Sequence, residues 1–141
     1  MDKNFSVAQA NEIVHEGCVY DLHNHYDFCE LRIFDDCRVR LAFVRNVDYG
    51  ADNLSRLLLT FEGVDYLEIS PGFGTRPIHD VLELGYKAPG DRDDAWLMSE
   101  EQAGREDHFF IRLDTSVIRI HALRARADGG SLLAVPIGES T

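Results

Sequence analysis

The sequence predicts one α+β domain, mostly antiparallel β, in which a short N-terminal helix precedes about seven strands. Three observations lead to this fold class: a length of 141 residues, a hydrophobic content of 45%, and a hydrophobic period that changes from helical to alternating after Gly17. Short alternating runs between turn residues are typical of a curved sheet, a sandwich or a barrel. We expect a β region over 18–127 and a C-terminal tail over 128–141.

The helix is predicted over residues 5–17 by a capping pattern and by apolar spacing. Ser6 and Gln9 have the spacing of a capping box, and Gly17 would serve as the C-terminal cap. The apolar positions at helical intervals are Val7, Ala10 and Val14.

Two hairpins are predicted from period-two alternation on either side of turn residues. The first turns at Asp35–Asp36, and the second joins 109–113 to 118–122. Between them lie a loop over 46–53, a run from Leu57 with a bulge or turn at Glu62–Gly63, and a stretch over 78–86 that we interpret as a strand. The alternating apolar residues of the first hairpin are Cys29, Leu31, Ile33, Val39, Leu41 and Phe43.

Composition argues against several partners and locations. The net charge is −11, and an acidic surface repels nucleic-acid phosphates and anionic membranes, so we expect neither as a partner. Much of that charge lies in 91–107, which is predicted to be a long acidic surface loop. Three cysteines without a CxxC pair, no signal-peptide pattern and no long apolar stretch predict a cytoplasmic protein.

The strongest chemical pattern surrounds His23 and His25, which a strand would place on one face. Two imidazoles and the nearby Glu30 suit zinc, iron, nickel or manganese. The stretch resembles the first cupin motif, in which a glycine and five residues precede His-x-His and four residues then precede Glu; Cys37 replaces the closing glycine. The resemblance implies a metal on these three residues, with His79 as fourth ligand, although the second cupin motif is otherwise missing. The alternative is that the histidines make ordinary polar contacts.

Catalytic patterns of other kinds are missing from the sequence, which contains neither a Gly-x-Ser-x-Gly elbow nor a phosphate-binding Gly-Lys-Ser loop. A nucleophilic Cys29 beside His23 or His25 is conceivable, but we prefer a buried, inert thiol because Cys29 falls on the apolar face of its strand. The sequence therefore favours a protein that is not an enzyme.

Arginines would form a basic strip, able to bind a carboxylate or phosphate, if the strands that carry them were neighbours. We prefer the alternative that they pair across strands with Glu30, Glu68 or Glu83. The arginines concerned are Arg38, Arg40, Arg112, Arg119, Arg124 and Arg126.

The chain as a whole is similar to small bacterial immunity proteins found beside polymorphic toxins, and to related β-rich proteins. The shared features are Leu22-His23 leading into a first strand, the phrase Phe61-x-x-Val64, and a closing hairpin over 109–127. The resemblance implies no catalytic residues and an acidic surface that blocks a basic toxin.

From these observations we expect a small acidic protein that works by binding a protein partner, with no cofactor. A cupin-like metalloprotein is the alternative. An uncovered antiparallel edge would also allow the chain to form a homodimer.

Overall fold

A computed structural model of the chain describes residues 1–46, 55–74, 76–93 and 95–130. These residues form ten strands and contain no helix: β1 (Asp2–Lys3), β2 (Ser6–Ala8), β3 (Glu12–His15), β4 (Cys18–Asp21), β5 (Tyr26–Ile33), β6 (Val39–Arg45), β7 (Arg56–Ile69), β8 (His79–Lys87), β9 (His108–Leu113) and β10 (Val117–Gly130).

Six strands close into a barrel in the order β10-β7-β6-β5-β8-β9, because β9 also pairs with the first part of β10. All of these pairings are antiparallel. The α+β prediction is therefore wrong, because the described residues form an all-β fold. Closure leaves the barrel with few free sheet edges.

The predicted helix over 5–17 is replaced by a three-stranded sheet of β2, β3 and β4. Val7 lies opposite Ile13 across the first of its hairpins, and both side chains are buried in the core. A helix of this length is marginal on its own, so the burial available to a strand outweighs its capping pattern.

Tight two-residue turns connect these short strands. Gln9 and Ala10 both have positive φ (53° and 60°), as do Glu16 and Gly17 (51° and 77°). Two successive positive φ values are typical of the type I′ turns of hairpins. Gly17 thus takes the left-handed conformation expected of a helix cap, but in a hairpin.

The N-terminal segment completes the barrel where β10 separates from β9. β1 pairs in parallel with Arg124 and Ala125 of β10. The Asn4 side chain then bonds to both the amide (2.7 Å) and the carbonyl (3.2 Å) of Ala127. These contacts bring the small sheet against the barrel, where it joins one continuous core.

That core consists of inward-facing residues from both sheets, with aromatic rings in contact across it. Phe109 meets Phe5 of the N-terminal segment at 6.1 Å and Phe61 of β7 at 5.5 Å between ring centroids. Its most deeply buried members include Ile13, Leu22, Tyr26, Phe28, Leu41, Phe43, Leu57, Leu59, Phe61, Tyr86, Phe109 and Ile111.

Both hairpins predicted from alternation are confirmed, as β5–β6 and β9–β10. The stretch over 78–86 is the strand β8. The irregularity predicted at Glu62–Gly63 lies instead at Asp65, a bulge opposite the His121–Ala122 step. Residues 128–130, which were predicted to belong to the tail, instead continue β10 and pair with β7. Most of the predicted loop at 46–53, and residues 131–141, lie outside the described residues.

Candidate functional site

The predicted metal ligands occupy different environments. His23 is exposed and its Nδ1 lies 2.7 Å from the carbonyl oxygen of Val81, while Glu30 is exposed on β5 and lies 3.6 Å from Arg40. His79 is only 3% exposed. In the part of the chain that the structure describes, no three His, Cys, Asp or Glu side chains are grouped to hold a metal ion. The site on His23, His25, Glu30 and His79 stays a prediction.

His79 belongs to a polar cluster that ties β8 to the β9–β10 turn. Its Nδ1 lies 2.9 Å from Asp114 Oδ1 and 3.2 Å from Thr115 Oγ1, and Asp114 also binds Arg76. Burial alone would raise the pKa of Asp114, but the hydrogen bond to His79 and neighbouring donors lower it. Phe73 stacks on the imidazole at 5.4 Å. With so little of the imidazole exposed, the cluster is placed to hold the turn.

Cys29 occupies a bulge in β5 and donates to the carbonyl oxygen of Ala42 at 3.4 Å. Burial and the nearby carboxylates raise the pKa of its thiol. A raised pKa lowers the thiolate fraction. The residue is half-buried and not fully buried as predicted.

Part of the predicted basic strip does form, across three neighbouring strands. Arg40 of β6, Thr60 of β7 and Arg126 of β10 lie in one register row. Glu62 lies 3.6 Å from Arg124 and 3.8 Å from Arg126, so the strip is largely compensated.

The cross-strand pairing that we preferred is confirmed for two of its three glutamates. Glu30 pairs with Arg40 as described above, and Glu83 pairs with Arg112 at 2.7 Å. Glu68 instead pairs with Arg92 of the acidic loop, at 3.2 Å.

The acidic loop over 91–107 is anchored to the barrel by two buried cations. Lys87, whose side chain is fully buried, donates to the carbonyl oxygen of Trp96 and lies 3.0 Å from Asp91 Oδ2. Arg119 donates to the carbonyl oxygens of Asp91 (2.6 Å) and Ala88 (3.0 Å). The barrel therefore fixes the backbone of the segment that leads to Trp96.

Glu100 anchors the middle of the loop to two other parts of the chain. Its Oε1 accepts from the Val7 amide (2.9 Å) and the Tyr86 hydroxyl (2.6 Å), and its Oε2 from Lys3 (2.5 Å). Burial would raise the pKa of Glu100, but these donors outweigh it and lower the pKa. Just before it, Met98 forms a backbone bridge with Tyr86.

His121 holds the end of the loop. Its Nδ1 lies 2.7 Å from Asp65 Oδ1 on β7, and its Nε2 lies 3.2 Å from the carbonyl oxygen of Arg105. Behind it, His108 is buried and stacks on Tyr66 at 4.5 Å. The loop is thus attached at its start, middle and end.

Trp96 lies on this anchored loop and is 80% exposed. Leu97 lies over Gly85 instead, where a side chain on the glycine would meet Leu97 Cβ at 2.8 Å. Exposed carboxylates on the same loop are Asp93, Glu101 and Glu106. We call Trp96 together with these three residues the Trp96 surface.

Large aromatic side chains are normally buried, and an exposed one on an anchored segment is typical of a binding contact. Sequence reasoning predicted the acidic loop but did not identify Trp96, the only tryptophan of the chain. The available signal was a lone tryptophan inside an acidic segment that lacks alternation.

No protein-family model matches the chain, and no curated protein or solved structure is significantly similar to it. Among the described residues, no helix has the length and apolar composition to cross a membrane.

Proposed function

We propose that this chain is a cytoplasmic, non-enzymatic protein that binds a basic protein partner through the Trp96 surface. The observation that carries the proposal is the exposure of Trp96 on a loop attached at three places to the barrel. A tryptophan that enters a pocket of a partner can supply a large share of the binding free energy.

Anchoring of the loop supports this function because it lowers the entropic cost of binding. A loop that is ordered only on association loses conformational freedom at that moment, whereas a preorganised loop does not. Lys87 and Arg119 fix the backbone around Trp96 before any partner arrives. The same contacts also leave its indole free to enter a pocket.

Charge supports the choice of a basic partner. The chain carries −11 overall, and Asp93, Glu101 and Glu106 are exposed on the loop that presents Trp96. Complementary charge speeds encounter and disfavours acidic partners. Neutralisation of a basic toxin, as by an immunity protein, is the specific form of this function that we propose.

Site-specific photo-crosslinking tests the proposal. A photoreactive phenylalanine analogue at Ala95, which is exposed and next to Trp96, leaves the tryptophan in place. Crosslinked proteins are identified by mass spectrometry after irradiation of cells. The matched control carries the same group at Leu123, which is 76% exposed on β10.

We expect a basic protein crosslinked at position 95, lost when Trp96→Ala is added and missing from the Leu123 control. The purified chain should then suppress the activity of that protein if it is a toxin. Identical adducts at both positions, or an acidic protein captured at position 95, would contradict the proposal.

A further inference from the structure

One side of β5 has a free edge. The strand pairs with β6 over 26–33, but with β8 only at Asp27 and Phe28. The ladder with β8 stops where Pro77, which has no amide hydrogen, precedes the strand. Within the described chain, Cys29–Ile33 therefore has no strand on the side away from β6.

The backbone groups that face this free edge follow from the hairpin. Phe34 donates its amide to the carbonyl oxygen of Arg38, so its N–H points towards β6. Backbone groups of an antiparallel strand alternate between its two neighbours. Leu31 and Ile33 therefore direct their N–H and C=O groups outward, where another strand can pair with them.

The side chains of this edge are complementary to a second copy of the same edge. We propose that the chain forms a two-fold homodimer in which the β5 edges of two copies pair antiparallel about Leu31. Glu30 of each copy then lies opposite Arg32 of the other, which gives two cross-strand ion pairs. An antiparallel two-fold contact uses the same patch on both copies, so it closes at two subunits.

Charge also favours the register centred on Leu31 over registers shifted by one residue. A two-fold axis at Glu30 or at Arg32 would place two like charges directly opposite each other, which is destabilising. An in-register parallel arrangement would pair every charge with its own kind. Arg32 is available for the contact, because in the described residues its guanidinium contacts the Phe34 ring and makes no ion pair.

Apolar residues at the edge favour the same arrangement. Ile33 is 63% exposed, so its side chain is accessible to a second copy at this edge. Pairing about Leu31 places Ile33 of one copy opposite Cys29 of the other, and Leu31 opposite itself. The dimer thus covers the exposed isoleucine. The contact involves a five-residue strand from each copy, so we expect it to dissociate on dilution.

Sedimentation velocity over about 1 µM to 1 mM protein tests the proposal. The wild-type chain should pass from monomer to dimer. Glu30→Arg and Arg32→Glu should each raise the dimer dissociation constant about tenfold or more, because each creates two like-charge contacts. A mixture of the two variants should form a heterodimer, since the opposite charges then face each other again.

The mixture separates loss of the contact from loss of the fold, because unfolded chains would not recover on mixing. Urea unfolding of each variant is a further check, needed for Glu30→Arg because Glu30 also pairs with Arg40. A wild-type chain that stays monomeric at the highest concentration would overturn the proposal. So would single variants that dimerise as well as the wild type, or a mixture that contains no heterodimer.

Discussion

Replacement of Glu100 by alanine should destabilise the whole protein, because this carboxylate joins the acidic loop, the N-terminal segment and β8. The change removes the acceptor of three hydrogen bonds and leaves the Lys3 ammonium, which is largely buried, without its partner. Hydrogen bonds to charged groups contribute about 1.5–3 kcal/mol each, and their effects overlap when they share one group. We therefore expect the free energy of unfolding to fall by about 3 kcal/mol.

Urea unfolding followed by circular dichroism measures this loss. At an m-value of about 1.5 kcal/mol/M, the transition midpoint should fall by about 2 M. Glu101→Ala is the matched control, because Glu101 is exposed and adjacent in sequence, and it should change stability by less than about 0.5 kcal/mol. The transition midpoint of Glu100→Gln should lie between those of the two alanine variants, since the amide oxygen can still accept hydrogen bonds from Val7 and Tyr86. Equal midpoints for the two alanine variants would refute the assignment of Glu100 as an anchor.

Three further predictions concern acid, packing and metal. The folded protein lowers the pKa of Glu100 from its ordinary value of 4.5. The ionised carboxylate therefore stabilises the fold above pH 4.5, and this stabilisation is lost as the pH falls through the lowered pKa. The difference in free energy of unfolding between the wild type and Glu100→Gln, measured in urea at a series of pH values, should narrow over the same range. Gly129→Ala should cost about 1–3 kcal/mol in urea unfolding, because the new methyl group would lie 1.8 Å from the Tyr20 hydroxyl, whereas Gly90→Ala, with open space around it, should be tolerated. Elemental mass spectrometry of the untagged protein should find no stoichiometric transition metal; a metal that disappears in His23→Ala would instead favour the cupin-like alternative.

The parts of the fold that sequence predicted best are those in which neighbouring strands follow each other along the chain. The apolar residues that alternate along Leu31–Ile33 and Val39–Phe43 mark a hairpin because successive side chains of a strand point to opposite faces of the sheet. The structure buries Val39, Leu41 and Phe43 but leaves Ile33, next to the turn, exposed. Closure of the barrel depends on contacts between β5 and β8 and between β7 and β10, which are distant in sequence. Local periodicity contains no information about such pairings.

The N-terminal helix was predicted wrongly because its spacing supported two structures. Val7 and Val14 fit a helical face, but Val7 and Ile13 fit a hairpin equally well once Gln9 and Ala10 adopt positive φ. Non-glycine residues rarely take that conformation, so the sequence contained no turn signal at this point. Burial against the barrel decided between the two.

The candidate site was predictable only in part. The acidic loop was evident from composition, but its attachment depends on Lys87 and Arg119, two cations buried in strands where apolar residues are usual. Their role appears only when the barrel places them beneath the loop. The exposure of Trp96 depends on how the loop is attached to the barrel, and the spacing of residues in the sequence does not indicate it.

Isothermal titration calorimetry with the purified partner that crosslinking identifies measures how much Trp96 contributes to binding. Trp96→Ala should weaken binding by about 30-fold or more, equivalent to about 2 kcal/mol, while Leu123→Ala should change the dissociation constant by less than about twofold. Affinity should also fall as salt concentration rises. Equal affinities for the wild type and Trp96→Ala would show that the partner does not bind through Trp96.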